Sequence, residues 1–456
     1  PKLKKHRRIP VCVAAAVAAT CVLSAGIAAA PYIKELAEGK IGFFIDAKSQ
    51  AQVQNVLDAP RGEYGGQQTD TEGHNTEIGQ TQTLDGVNYT LDTVSMDAAT
   101  LDCFFTVSGE NVVSKFLDAD SIYPEWEQLS SNTPWMAAQI NGGEEIYTVQ
   151  SDFYRQGDDT FRLWLHYQLP EEPQGDTVML RLLDSDAASG EPGLSYTMEL
   201  NGEQVRAGAR RVAPTVLDFG ITDALLGDNP ITLDSLCFGT GSGSLVKHSE
   251  ASEKFAETHP LGVVSEDEEK KLRGEDEDNP VIFDGEMILT DDTGRELLPS
   301  YPDGVSGGAV AYTVPDQNAQ SITFTPVYHS GVYEYEDRTV TVDEMQQGVK
   351  IATSDAGGYT LQNFAVQGRA LTWQMIPYGF VLYTELMPQD EEYIDTNTNS
   401  YAMRSSTVDP TTGIISCRID YYTADPAQVA KISEFRYLFD GGYHADESRA
   451  VTLPLQ

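Results

Sequence analysis

The chain has 456 residues, 40% of them apolar, which is room for about three ordinary domains and argues against global disorder. Its net charge is −40, and all 70 aspartates and glutamates lie after Ala30. Such a surface repels nucleic acid and anionic lipid head groups, so phosphate-backbone binding is not expected; solubility, cations or basic partners fit it.

The first eight residues carry Lys2, Lys4, Lys5, Arg7 and Arg8. Ile9 to Ala30 then contains no charge, and a bilayer-spanning helix needs about 20 such residues. By the positive-inside bias the basic flank stays cytoplasmic and Pro31 to Gln456 lies outside. A second reading is a secretory signal cleaved after Ala28-Ala29-Ala30, against which stand Pro31 at the bond to be cut and the length of the run. Both readings export the chain. They place the protein at the cell membrane, single-pass, with its bulk extracytoplasmic.

Residues 31–80 are read as a juxtamembrane helix and stalk, because Arg61 to Gln80 is rich in Gly, Gln, Thr and Glu with little to bury. From Leu84 the period becomes two. Val87, Tyr89 and Leu91 alternate, the phase slips, and Val94 and Met96 resume it before Leu101, Cys103, Phe105 and Val107. This predicts a hairpin with a bulge between Leu91 and Val94. The same spacing returns 270 residues later, with Tyr359, Leu361, Phe364, Val366, Leu371, Trp373 and Met375 at the matching places. A partial third copy runs from Ile231 to Phe238. The chain is therefore expected to be mainly β: an N-terminal transmembrane helix followed by tandem immunoglobulin-like β-sandwich domains. The domains are drawn at 81–213, 214–330 (with an acidic insertion, Ser265 to Asn279) and 331–456.

Chemistry-bearing patterns are few. No nucleophile elbow, P-loop, dinucleotide-binding glycine pattern or H-E-x-x-H occurs. Gly239 to Ser244 is glycine-rich, but a turn suits it better than a phosphate cradle. His74, His166, His248, His259, His329 and His444 are scattered without metal-ligand spacing, and His166 is expected on an exposed strand face. Asp395-Thr-Asn397-Thr-Asn399-Ser-Tyr401 imitates half a calcium loop, lacking Gly at the sixth place and a Glu at position 406, where Ser406 stands. Tyr123, Trp126 and Trp135 could form a carbohydrate or peptide platform, with core or edge packing as the plainer reading. Cys103, Cys237 and Cys417 are an odd number far apart, which favours buried free thiols. No catalytic, cofactor-binding or metal residues are assigned, and no cofactor.

From Ile78-Gly-Gln80 through Asp85-Gly-Val-Asn-Tyr-Thr-Leu91 to Leu101, the chain resembles membrane-anchored ectodomain proteins of Gram-positive bacteria, in which one transmembrane helix precedes a β domain of unknown function. Ile231 to Leu236 and Asp292 to Glu296 are similar to the second β domain that often follows. The resemblance covers roughly residues 1–340. It implies an anti-sigma-factor-like regulator, with a sigma factor as partner through a cytoplasmic part that eight residues do not supply. It implies no catalytic residues. The expected function is thus non-enzymatic binding or sensing of an envelope ligand or protein. A surface adhesion protein with stacked spacer domains is the first alternative, an exported hydrolase the second.

Overall fold

In a computed structural model of the chain, the structure describes residues 62–64, 67–69, 74–116, 136–155, 158–184, 187–188, 190, 193–258, 281–299, 309–330, 335–381, 386–389, 402–408, 413–421 and 424–456. The expected membrane span, its basic flank, the aromatics Tyr123, Trp126 and Trp135, the run from Ser265 to Asn279 and the Asp395 to Tyr401 loop lie outside them. Among the described residues no helix is long and apolar enough to cross a membrane. Strands dominate, as the period-two pattern requires. They fall into two compact units, one ending at Gly208 and one from Ala209 to Gln456, with Pro170–Glu172 counted in the second.

The first unit opens with a short pair, β1 (Gly62–Tyr64) and β2 (Gln67–Thr69). Its main sheet holds β3 (Asn75–Leu84), β4 (Val87–Met96), β5 (Thr100–Ser108), β8 (Gln150–Arg155) and β9 (Thr160–Gln168), in the order β3-β4-β5-β9-β8. The facing sheet holds β6 (Met136–Ile140), β7 (Glu145–Ile146), β10 (Thr177–Asp184) and β11 (Ser195–Asn201), in the order β11-β10-β6-β7. Alternate residues of β4, β5, β9, β10 and β11 point into one shared core. Leu91, Leu101, Cys103 and Leu165 from the main sheet meet Leu180, Leu182 and Tyr196 from the other, all fully buried. Each of these leucines stabilises the fold by about 1.5–3 kcal/mol. Two buried tyrosine hydroxyls tie the sheets together: Tyr196 donates to the Tyr89 carbonyl at 2.7 Å and Tyr167 to that of Met136 at 2.9 Å. Helix α1 (Val112–Phe116) plugs one end, its Phe116 edge-on to Tyr89 and Phe161.

The bulge falls where the phase slip predicted it: the β4–β5 register shifts between Leu91 and Thr93. Of the expected juxtamembrane helix and stalk, residues 62–64, 67–69 and 75–80 are strand, and 31–61 lie outside the described residues. Asn75 to Gln80 belongs to β3, an edge strand whose polar residues need only main-chain pairing with β4, while Ile78 and Leu84 touch the core.

After β11, helix α2 (Gly202–Val205) leads into the second unit, which has two cores. The middle module comprises β12 (Arg210–Val212), β13 (Thr215–Leu217), β14 (Thr222–Asp223), β15 (Gly227–Asp228), β16 (Ile231–Phe238), β17 (Gly243–His248), α3 (Glu250–Thr258), β18 (Met287–Asp291), β19 (Glu296–Leu297), β20 (Ala309–Tyr312) and β21 (Ser321–His329). One sheet runs β12/β13-β16-β17-β20 and the other β19-β18-β21. The partial third copy is real: the β16–β17 register shifts between Leu233 and Ser235, the same place on the hairpin as in the first unit.

The last module comprises β22 (Tyr335–Thr341), α4 (Val342–Gln347), β23 (Val349–Ser354), β24 (Gly357–Gln367), β25 (Ala370–Gly379), β26 (Met387–Pro388), β27 (Ala402–Val408), β28 (Ile415–Tyr421), α5 (Pro426–Val429) and β29 (Glu434–Asp440). Its order β23-β24-β25-β28-β27 copies β3-β4-β5-β9-β8, with the register shift now between Gln362 and Ala365. A parallel pair, Ser354 with Asp440, joins this sheet to β29, so that its two layers form one eight-stranded sheet. The closing strands β30 (Tyr443–Ala445) and β31 (Val451–Pro454) were expected in the third domain, but both pair with β21 of the middle module. Likewise β12, expected at the end of the first domain, pairs with β16. Cys103, Cys237 and Cys417 are free and buried, as expected.

Candidate functional site

The polar face of the first unit's main sheet carries the best-organised group of chemistry-bearing side chains. Because β5 turns Leu101, Cys103, Phe105 and Val107 into the core, its alternate residues Asp102, Phe104 and Thr106 face the other way, where Phe104 is also buried and Asp102 and Thr106 are half-buried. On the neighbouring strand β9, Arg162, Trp164 and His166 do the same. Register pairs Asp102 with His166 and Phe104 with Trp164.

One carboxylate oxygen organises the group. Asp102 Oδ1 accepts from Trp164 Nε1 at 2.8 Å and lies 2.8 Å from His166 Nδ1. A carboxylate only accepts, so Nδ1 carries the proton and Nε2 is the ring nitrogen left for a partner. The two rings are 5.7 Å apart and tilted by 43°. His166 was expected to be exposed. Its side chain is only 13% exposed, because the bond to Asp102 and the flanking indole hold it against the sheet. On the same face Thr106 donates to Asp92 Oδ2 at 2.6 Å. An aromatic plane beside fixed donors and acceptors suits stacking with hydrogen bonding, the arrangement by which sheet surfaces bind polar ligands.

Asp92 also reveals a device shared by two copies. It sits at the bulge, and the matching bulge residue of the middle module, Asp234, lies 2.6 Å from His248 Nδ1. That bond is the largest cause raising the His248 pKa above its ordinary value of 6.5, with Glu253 and Glu250 adding to it.

A second histidine–aspartate pair is buried. His329 Nε2 lies 3.4 Å from Asp440 Oδ2, both side chains 5% exposed. The Tyr443 ring stands edge-on to His329 at 4.6 Å, and Asp440 Oδ1 accepts from Gly442 N at 2.9 Å. Sequence spacing gave no sign of it, since 111 positions separate the partners. The glycine-rich stretch from Gly239 is the β16–β17 turn, closed by Gly239 N donating to the Ser242 carbonyl at 2.9 Å. Among the described residues no group of three or more His, Cys, Asp or Glu side chains could hold a metal ion.

Fold and site define a class in outline: a mainly β chain with several sheets and a recurring hairpin order, carrying a sheet face with polar and aromatic side chains. No protein-family model matches the sequence, and no curated protein is similar to it. Among solved structures, it is similar to the crystal structure of the conserved domain protein from Bacillus anthracis. That likeness has 13% identity and a TM-score of 0.31, and it covers 60% of this chain and 84% of that one.

Proposed function

We propose that the protein is a single-pass, membrane-anchored extracytoplasmic binding or sensing protein of the bacterial cell envelope, built from immunoglobulin-like sandwiches and without catalytic activity of its own. The observation that carries this reading is the uncharged run Ile9 to Ala30 behind five basic residues, with all 70 acids in the chain that follows it. The ligand face in this reading is the Asp102–Trp164–His166 group of the first unit, where an indole and an oriented imidazole share one carboxylate. Its specific form is the ectodomain of an anti-sigma-factor-like regulator, with a sigma factor as the cytoplasmic partner.

The test is topological first. The chain expressed in a Gram-positive host is expected to stay with membranes after alkaline carbonate extraction and to be shaved by protease added to intact cells. Recovery in the cytosol, protected from protease, overturns the proposal. For the ligand face, Trp164→Ala is expected to abolish retention on cell-wall material while leaving the first unit folded; unchanged retention removes that face from the proposal.

A surface adhesion protein is the second reading. The threefold module favours it, since stacked sandwiches serve as spacers as well as binding faces.

A further inference from the structure

We infer that β21 is an acceptor site for extended chain, filled in cis by residues 443–456, which arrive from the last module as a clasp: β30 and β31 flank a 3-10 turn at Glu447–Arg449, and Val451, Leu453 and Leu455 put an apolar residue at every second position of the closing stretch. This goes beyond the proposed function and does not depend on it. The argument starts from the first unit, where β10 is followed directly by its partner β11, paired from Leu183 with Ser195 to Thr177 with Asn201. Asn201 caps α2, Val205 of that helix enters the same core, Arg206 ends the helix, and Gly208 follows two residues later at φ +73.

The same strand-and-helix segment recurs 140 positions later. Thr341 caps α4 in a capping box, Met345 is fully buried, and Gly348 ends the helix at φ +84. By analogy β22 should pair with β21, the strand just before it. It pairs with β29 instead, from Tyr335 with Asp440 to Thr341 with Glu434, and Met345 enters the core of the last module. In return, the segment that follows β29 fills the place left on β21. Ser321 pairs with Pro454, Phe324 with Val451, Val327 with Ala445 and His329 with Tyr443. Val451, Leu453 and Leu455 pack against the middle core. The two modules have exchanged their last strands.

The crossing point is built for this path. Ser330 N donates to the Gly442 carbonyl at 2.8 Å, and the His329–Asp440 pair spans the two chain segments. A Cβ at position 442 would strike the His329 ring, so glycine is needed where the chains pass. Without residues 443–456, β21 would expose unpaired ladder groups and the Ile322–Phe324 side of the core, the combination that recruits a strand.

The decisive feature is that each loss lands on the module not adjacent in sequence. Deletion of 443–456 from the full chain is expected to remove hydrogen-exchange protection at Leu289 and Phe324 while Tyr359 and Leu361 keep theirs. A synthetic peptide of residues 443–456 is then expected to bind one-to-one and restore protection; a peptide with Val451, Leu453 and Leu455 replaced by Asp is not. Loss of protection in the last module instead, or an unaltered middle module, overturns the inference. If the deleted chain does not fold, the full chain carrying Thr323→Cys and Thr452→Cys decides. Those hydroxyls are 2.9 Å apart across 129 positions, so a disulfide within one chain is expected, and one only between chains, or none, overturns it.

Discussion

The side chain of Gln82 stands in for a peptide unit against Ser195. Its carbonyl oxygen accepts from Ser195 N at 3.1 Å, and its amide nitrogen donates to the Ser195 carbonyl. The edge strands of the two facing sheets are thereby bonded through a side chain. Strand register places Leu217 and Ile351, both buried, at the matching position of the other modules. Gln82→Leu therefore restores the residue type of those copies but loses both bonds. A loss of about 1 kcal/mol is expected from it, and about 1–3 kcal/mol from Gln82→Glu, which sets a carboxylate against a carbonyl. Exchange at the Ser195 amide, measured with urea unfolding, checks this; equal stability of all three chains would show that the bonds contribute nothing.

Met345 on α4 and Val205 on α2 occupy matching places after their N-caps, and both are buried. Met345→Ala is expected to cost about 2–5 kcal/mol, felt in the last module. Val205→Ala is expected to cost less, because fewer atoms are removed, and to be felt only in the first unit. Exchange at Val94 and Phe435 separates the two sites; a Met345→Ala effect at Val94 would contradict the packing.

His248 offers a pH readout. Its pKa is raised chiefly by the bond to Asp234, so the bond's contribution to stability is fully present below about 6.5 and fades as pH climbs through the higher folded value. Asp234→Asn is expected to move the His248 midpoint down, by NMR titration of the ring protons. A midpoint indifferent to that change would leave the bond without consequence.

The thiols of Cys103, Cys237 and Cys417 are buried. Burial holds the Cys103 thiol well above its ordinary range and pushes Cys417 up to about 12. Little thiolate therefore forms at pH 8. Iodoacetamide at that pH is expected to leave all three unmodified in the native protein and to alkylate all three in denaturant, read by mass spectrometry of peptides. Rapid native labelling at Cys103 would show that the first core opens readily.

Core alternation was plain in the sequence, and with it the hairpins, the slip after Leu91 and the 270-residue recurrence, because a buried face constrains every second side chain. Partner choice was not. Nothing in the residues of β22 or β31 says whether β21 or β29 will receive them, since ladder bonds are made by backbone common to all residues. The first part of the polar edge strand β3, Asn75 to Gln80, read as stalk for the same reason. The Asp102–Trp164–His166 group also escaped the sequence reading, though His166 and Trp164 stand at i and i+2 on one strand. Only the register of β5 against β9 brings the carboxylate to them.

The crossed path of the chain at His329 and Asp440 bears on how such a gene can grow or shrink. Losing the stretch that encodes only the last module would orphan one sheet margin, and duplicating it would create a surplus strand with nowhere to lie. Changes in repeat number are tolerable only when they carry a donor together with its recipient, so lineages built this way should gain or lose the two distal copies as a pair.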